Sequence, residues 1–206
     1  MQITAVTQRF AFGVCVFVLS VSSSVSAQNG SPQGNSSQVP AQIEAMAGKW
    51  SVAQRMWPGP GKDAVTLPAA VAERRLIGDK FLQETMELAQ GGNKAEAFTR
   101  VAYFLYNEVN QQYEYFSLDT RGPQMMTERT QDAGGPTTAQ RNAAVNMQGS
   151  VFVAPQWGDD KNVTFRYRLT ISEVADNRQV VRLYFTRLAS EPSSEFLAFE
   201  YIYTRR

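Results

Sequence analysis

The sequence predicts an all-β fold: an antiparallel barrel of about nine short strands with little helix. Three observations predict it. In the last third, Val163, Phe165, Tyr167, Leu169 and Ile171 alternate with Thr164, Arg166, Arg168, Thr170 and Ser172, a period of two that gives a strand one dry and one wet face. Turn-forming residues punctuate the chain at short intervals. The single cysteine, Cys15, allows no disulfide, and closing the sheet on itself removes the exposed edges that an unstapled β protein must avoid.

The elements are expected as follows. Residues 43–47 suit a short helix or turn, and 49–57 a first strand. Strands over 71–77 and 80–88 flank Gly78-Asp79, a hairpin-turn pair. Strands over 98–106 and 113–118 flank a turn at 107–112. Residues 124–129 read as a weaker strand and 131–141, rich in Gly, Thr and Gln, as a loop. Residues 150–153 are strand-like but soon meet Pro155, which predicts a short or edge strand. After the strand at 163–172, Val181, Leu183 and Phe185 alternate with Arg182, Tyr184 and Thr186. Leu197, Phe199, Tyr201 and Tyr203 then alternate with Glu200 and Thr204. Asp176-Asn177 and residues 191–194 read as the turns between them.

A chain of 206 residues, 43% apolar and 19% charged, suits one globular domain. Lys and Arg number 20 against 19 Asp and Glu, so no global charge draws the chain to nucleic acid or anionic lipid. Histidine is absent. That excludes His-based acid–base catalysis, Ser-His and Cys-His nucleophile pairs, and His-ligated zinc or haem. Haem would be left to Tyr or Met ligation, and no metal or cofactor site is expected.

Residues 1–27 have the layout of a secretory signal. Arg9 supplies the charge, 10–21 the apolar run, and 22–27 a small-residue end closing on Val25-Ser26-Ala27. The run is shorter than the ~20 residues a membrane span needs. Cys15 lies inside it, behind Phe12-Gly13-Val14, rather than after it as a lipidation cysteine would. The mature chain is therefore expected to be periplasmic or secreted, without a thiol or an integral span. Residues 28–40, QNGSPQGNSSQVP, read as a flexible leader, and 41–206 as the barrel domain. Asn35-Ser36-Ser37 and Asn162-Val163-Thr164 match the glycosylation sequon, a pattern that arises readily by chance.

Gly48-Lys49-Trp50, at the start of the first expected strand, resembles the Gly-x-Trp signature of the calycin superfamily, which includes lipocalins. The resemblance implies that Trp50 closes the barrel floor and that Arg205 or Arg206, near the end of the last strand, stacks across it. More of the chain resembles one bacterial calycin-like domain-of-unknown-function family, number fifteen seventy-nine. The residues that carry this are Met56-Trp57-Pro58-Gly59-Pro60-Gly61, then Ala72-Glu73-Arg74-Arg75-Leu76-Ile77-Gly78-Asp79-Lys80-Phe81-Leu82-Gln83-Glu84, and the tail Glu200-Tyr201-Ile202-Tyr203-Thr204-Arg205-Arg206. The chain departs from that family's pattern at Leu105-Tyr106-Asn107 and Phe116-Ser117-Leu118-Asp119. The resemblance implies a fold and no catalytic residue.

Several residues have two readings. Trp57, with the Pro-Gly loop behind it, is either the lip of a ligand pocket or a core plug. Arg74 and Arg75 point to opposite faces of one strand, so one should point inward. Arg166, Arg168 and Arg182 either line an anion pocket or face water, and the clean apolar alternation favours water. Glu73, Glu84, Glu87 and Glu200 are either a paired-carboxylate site or ordinary strand carboxylates. Phe98, Tyr103, Phe104, Tyr106, Tyr113, Tyr115 and Phe116 form an aromatic hairpin. With Arg100 as its one basic residue, this reads as core rather than a nucleic-acid platform. Met125-Met126 reads as core filler.

The resulting expectation is an exported calycin-like barrel that binds a small, partly apolar molecule without a catalytic step. Trp57, Arg75, Tyr103 and Arg168 are expected to line the site, with Trp50 and Arg205 closing the floor. The alternatives are an interaction module with a filled core and a carboxylate-based enzyme. The two are separated from the first reading by a cavity of ~300 Å³ or more and by a buried acid in a cleft, respectively.

Overall fold

The computed structural model describes residues 41–131, 144–158, 160–175, 177–188 and 195–206. The expected signal peptide (1–27) and leader (28–40) lie outside the described residues, as do most of the 131–141 loop, Asp176 and the 191–194 turn. Ten antiparallel strands follow a short helix α1 (Ala41–Ala45): β1 (Gly48–Met56), β2 (Val65–Ile77), β3 (Phe81–Leu88), β4 (Thr99–Asn107), β5 (Gln112–Asp119), β6 (Gly122–Arg129), β7 (Val145–Trp157), β8 (Asp160–Ser172), β9 (Arg178–Arg187) and β10 (Glu195–Arg205). Each pairs with the next, and β10 pairs with β1, so the sheet is a closed barrel.

The up-and-down order follows from local turns. Gly78 and Asp79 both have positive φ (57° and 51°), and Lys80 N–H donates to Ile77 O at 3.2 Å. This is the reversal that the twist of a hairpin favours. Period-two burial then places one face of each strand inside. Val163, Phe165, Tyr167, Leu169 and Ile171 on β8 are all buried, as are Val181, Leu183 and Phe185 on β9.

The floor lies where β1 begins. Ile43 and Met46 enter the core beneath the barrel. Trp50, 1% exposed, donates from Nε1 to Met46 O at 3.0 Å. Arg205 Cζ lies 4.4 Å from the Trp50 ring centroid, and its guanidinium donates to Ala45 O and Ala47 O, both at 2.8 Å. Gly48 is required here twice over. Its φ is +133°, and a Cβ on it would sit 2.4 Å from Arg205 Nη1.

The ten strands of the barrel agree with the expected number of about nine, and three strand expectations need correction. β2 begins at Val65 rather than 71, because Leu67, Thr66 and Val65 pair with Gln54, Arg55 and Met56 beyond a bulge in β2, where Pro68 and Ala69 oppose Ala53. β7 runs for 13 residues through Pro155. The β7–β8 register pairs Ala154 with Val163 and Gln156 with Lys161 but has no pair at Pro155, and Asn162, opposite it, has φ +52°. Among the described residues, β6 and β7 pair only at Glu128↔Gly149 and Arg129↔Gln148. In β10 a bulge between Leu197 and Phe199 turns Leu197 outward and brings Phe196 inside.

The β6–β7 seam has a substitute closure. Tyr167 Oη donates to Thr127 O at 3.1 Å and accepts from Thr127 N–H at 2.9 Å. The Tyr167 ring lies over Gly149, where a Cβ would come within 2.3 Å of it.

Candidate functional site

The barrel interior divides into an open half and a filled half. The open half lies at the end away from Trp50, where β1, β7 and β9 end and β2, β4, β6, β8 and β10 begin. It holds a cavity of about 570 Å³. Its walls are mostly carbon: Leu67 and Pro68 from β2, Met126 from β6, Phe152, Ala154 and Trp157 from β7, Leu183 and Phe185 from β9, and Phe199 from β10. The aromatic rings brace one another, edge to face with centroids 5.1 Å apart for Phe152–Phe185 and 5.9 Å for Phe185–Phe199, and tilted at 5.2 Å for Trp157–Phe185. Trp157 Nε1 donates to Pro58 O at 2.7 Å, so the Trp-Pro-Gly loop after β1 sets the orientation of this wall.

At the mouth, Arg121 sits in the β5–β6 turn. Its guanidinium meets both Asp119 carboxylate oxygens at 2.9 and 2.6 Å and lies 3.7 Å from the Phe98 ring centroid. Asp119 therefore balances the charge of Arg121. Farther in, buried Ser117 and Tyr201 bring the cavity's polar groups to its deep end.

Below them lies a polar layer. Glu84 on β3 sits between two arginines. Arg74 Nε donates to Glu84 Oε2 at 2.6 Å, and Arg100 Nη2 to Glu84 Oε1 at 2.5 Å. Arg74 also donates to the Gln179 side-chain oxygen and lies over the Tyr203 ring at 3.9 Å. Arg100 donates to Tyr203 Oη at 2.8 Å and lies 4.8 Å from the Tyr201 ring centroid. Burial works against ionisation of Glu84, but the two guanidiniums outweigh it and hold its carboxyl at about 2. Burial raises the Tyr203 hydroxyl to about 12 and pushes Tyr115 well above its ordinary value, so both stay neutral.

Glu128 on β6 contrasts with Glu84. It is 3% exposed, and neither carboxylate oxygen has a hydrogen-bond partner. Burial pushes its carboxyl up to about 8, and the Tyr167 hydroxyl and Arg100 pull it only partly back. At neutral pH it is a buried neutral acid.

The structure does not bring the four expected lining residues together. Arg74, not Arg75, points inward; Arg75 donates to Gln83 on the outer face, beside a charged outer depression that also includes Lys49, Glu73 and Glu87. Tyr103 is on the outer face, stacked on Phe116 at 5.5 Å and accepting from Gln83. Arg168 is outside as well, paired with Glu195 through two bonds and lying over Tyr184. Trp57 is half-buried beyond the end of β1, with Arg55 Cζ 5.7 Å from its ring. Of the four acids weighed, Glu84 enters the interior. Glu200 is buried on the outer face between Arg55 and Arg182. The residues missed were Trp157, hidden behind Pro155, and Arg100, Arg121 and Glu128. The alternation of β4, with Ala102 and Phe104 on one face, marks Arg100 as inward once that face is recognised as core.

Among the described residues, no group of His, Cys, Asp and Glu could hold a metal ion, and no helix is long and apolar enough to cross a membrane. Residues 36–204 match the family model described as "Protein of unknown function (DUF1579)". No curated protein matches the chain. Solved structures similar to it include the crystal structure of Rv2717c from M. tuberculosis. That likeness has a TM-score of 0.50 and 14% identity, and covers 82% of this chain and 99% of that one. At that identity the likeness shows the fold.

Proposed function

The chain belongs to the DUF1579 family of proteins of unknown function, and from the barrel itself we propose that it is an exported carrier that binds a small, partly apolar molecule. Binding is non-covalent and takes place in the open half of the barrel. The observation that supports this reading is the cavity of about 570 Å³ with aromatic and aliphatic walls and a few polar groups at its two ends. Pockets of ~300–1,000 Å³ with this distribution are typical small-molecule sites. A surface-interaction module needs a filled core instead, and the lower half alone is filled. Binding energy comes from removing ligand carbon from water at ~25 cal/mol per Å². The export half of the reading rests on the layout of residues 1–27.

Ala154 provides the test, because it is buried and faces the cavity. Ala154→Phe places a ring in the space the ligand needs. Binding of an environment-sensitive apolar dye, followed by fluorescence titration, is expected to weaken at least tenfold in the variant. Equal dye affinity in both proteins contradicts a cavity-bound ligand.

A further inference from the structure

This inference rests on the carrier reading and assigns the charge of the ligand. Strand register fixes the depth of each group. On β5, Ser117 lines the cavity and Tyr115 follows two residues deeper; on β6, Met126 and then Glu128; on β10, Tyr201 and then Tyr203. Two residues along a strand are ~6.6 Å. Tyr115, Glu128 and Tyr203 are thus one side chain below the cavity's deep end, and Arg100, whose backbone pairs with Asp119 nearer the mouth, reaches down to Glu84 and Tyr203 with its guanidinium.

Among the described residues, the charges in that layer do not balance. Arg74 and Arg100 are two cations, and Glu84, bonded to both, is one anion. Glu128, the other acid buried inside the barrel, makes no ion pair, and its carboxyl keeps its proton at neutral pH. One positive charge is left without a counter-charge in a dry interior, an arrangement that costs stability until an anion completes it. The same layer has spare donors: Arg100 Nε–H and the Gln179 amide are buried without acceptors. Arg100 Cζ lies 4.8 Å from the ring of Tyr201, which lines the cavity.

We propose that the natural ligand is an amphiphilic monoanion, a carboxylate on an apolar body, whose head passes Ser117 and Tyr201 and accepts hydrogen bonds from Arg100. The apolar body then lies against Phe152, Trp157 and Phe185. A guanidinium fork matches a carboxylate in geometry as well as charge. Ionised Glu128 supplies the same negative charge, so Glu128 and the ligand head compete. The groups acting on Glu128 are Arg100 from β4, Tyr115 from β5 and Tyr167 from β8, and both tyrosines stay neutral across the relevant range.

The test compares decanoate with decanol by isothermal titration calorimetry. At pH 7 decanoate is expected to bind at least tenfold more tightly, because hydrogen bonds to a charged group exceed neutral ones. Between pH 7 and pH 9 the affinity for decanoate falls about tenfold in the wild type as Glu128 ionises around 8. The fall is absent in Glu128→Gln, and decanol shows none in either protein. Arg100→Gln lowers decanoate affinity to that of decanol; should this variant fail to fold, the pH comparison between the wild type and Glu128→Gln still decides. Equal affinities for the two chains at pH 7 overturn the anion assignment and leave the carrier reading standing. Failure of both to bind overturns the carrier reading itself.

Discussion

Replacing Glu128 by Gln should make the protein more stable, and increasingly so as the pH rises. Glu128 titrates at an ordinary 4.5 in the unfolded chain and at about 8 in the barrel, where burial opposes its charged form. Between those values the folded protein holds a proton that the unfolded chain has released. The contribution is fully present below 4.5 and is lost as pH rises through about 8. The residue is 3% exposed, so solvent screening takes little from this difference. At ~1.36 kcal/mol per unit, linkage gives a loss of about 2.5 kcal/mol between pH 5 and pH 7, and about 4 kcal/mol between pH 5 and pH 9. Glutamine has the same shape and no titration. Every other ionisable group contributes equally to both proteins, so the difference between them isolates Glu128. Urea unfolding of wild type and Glu128→Gln at pH 5, 7 and 9 is the assay, with m-values compared to establish that the transition is the same. Stability profiles that run parallel from pH 5 to pH 9 would refute the reasoning, because Glu128 would then be ionised or paired in the folded barrel.

Two further perturbations probe the floor and the ion cluster. Glu84→Gln leaves Arg74 and Arg100 buried without their shared carboxylate and should cost about 3–5 kcal/mol at pH 7 by urea unfolding. It should also remove the stability that Glu84 contributes above 4.5 and loses as pH falls toward about 2, so that the gap between wild type and variant narrows over that range. Gly48→Ala should cost about 1–3 kcal/mol, because φ is +133° and the new Cβ meets Arg205 Nη1 at 2.4 Å; an unchanged melting temperature would show that Arg205 can leave Trp50 freely.

Fold and site differ in how far they can be read from the sequence. Period two in β8 and β9 is unambiguous because each strand has one face packed and one wet. The long strands were harder to bound. Pro155 signals a strand end only where its missing N–H matters, and the β7–β8 ladder continues on both sides of it with no pair at the proline itself. Arginine direction failed for a related reason. Arg74 and Arg75 are adjacent, so a register choice of one residue decides which is the core residue, and both faces of the strand carry apolar residues, Ala72 and Leu76 on one and Val71 and Ile77 on the other. Glu128 is opaque in the sequence because the flanking Met125-Met126-Thr127 and Arg129 show no alternation, whereas its burial follows from Tyr115 and Gly149 lying opposite it. The Trp50–Arg205 pair is a floor that the Gly-x-Trp resemblance locates at both ends of the chain. The aromatic side chains of β8 and β9 at alternating positions are legible as core, whereas Tyr103 and Phe116 of the β4–β5 hairpin stack on the outer face, and sequence alone does not say which rings leave a space between them.

Native mass spectrometry of the protein purified from its own source tests the carrier reading most directly. A reproducible added mass of a few hundred daltons, lost on organic extraction and running as an anion once released, is the result the account predicts. A bare protein mass, from a preparation that also fails to take up decanoate when it is added back, would contradict it.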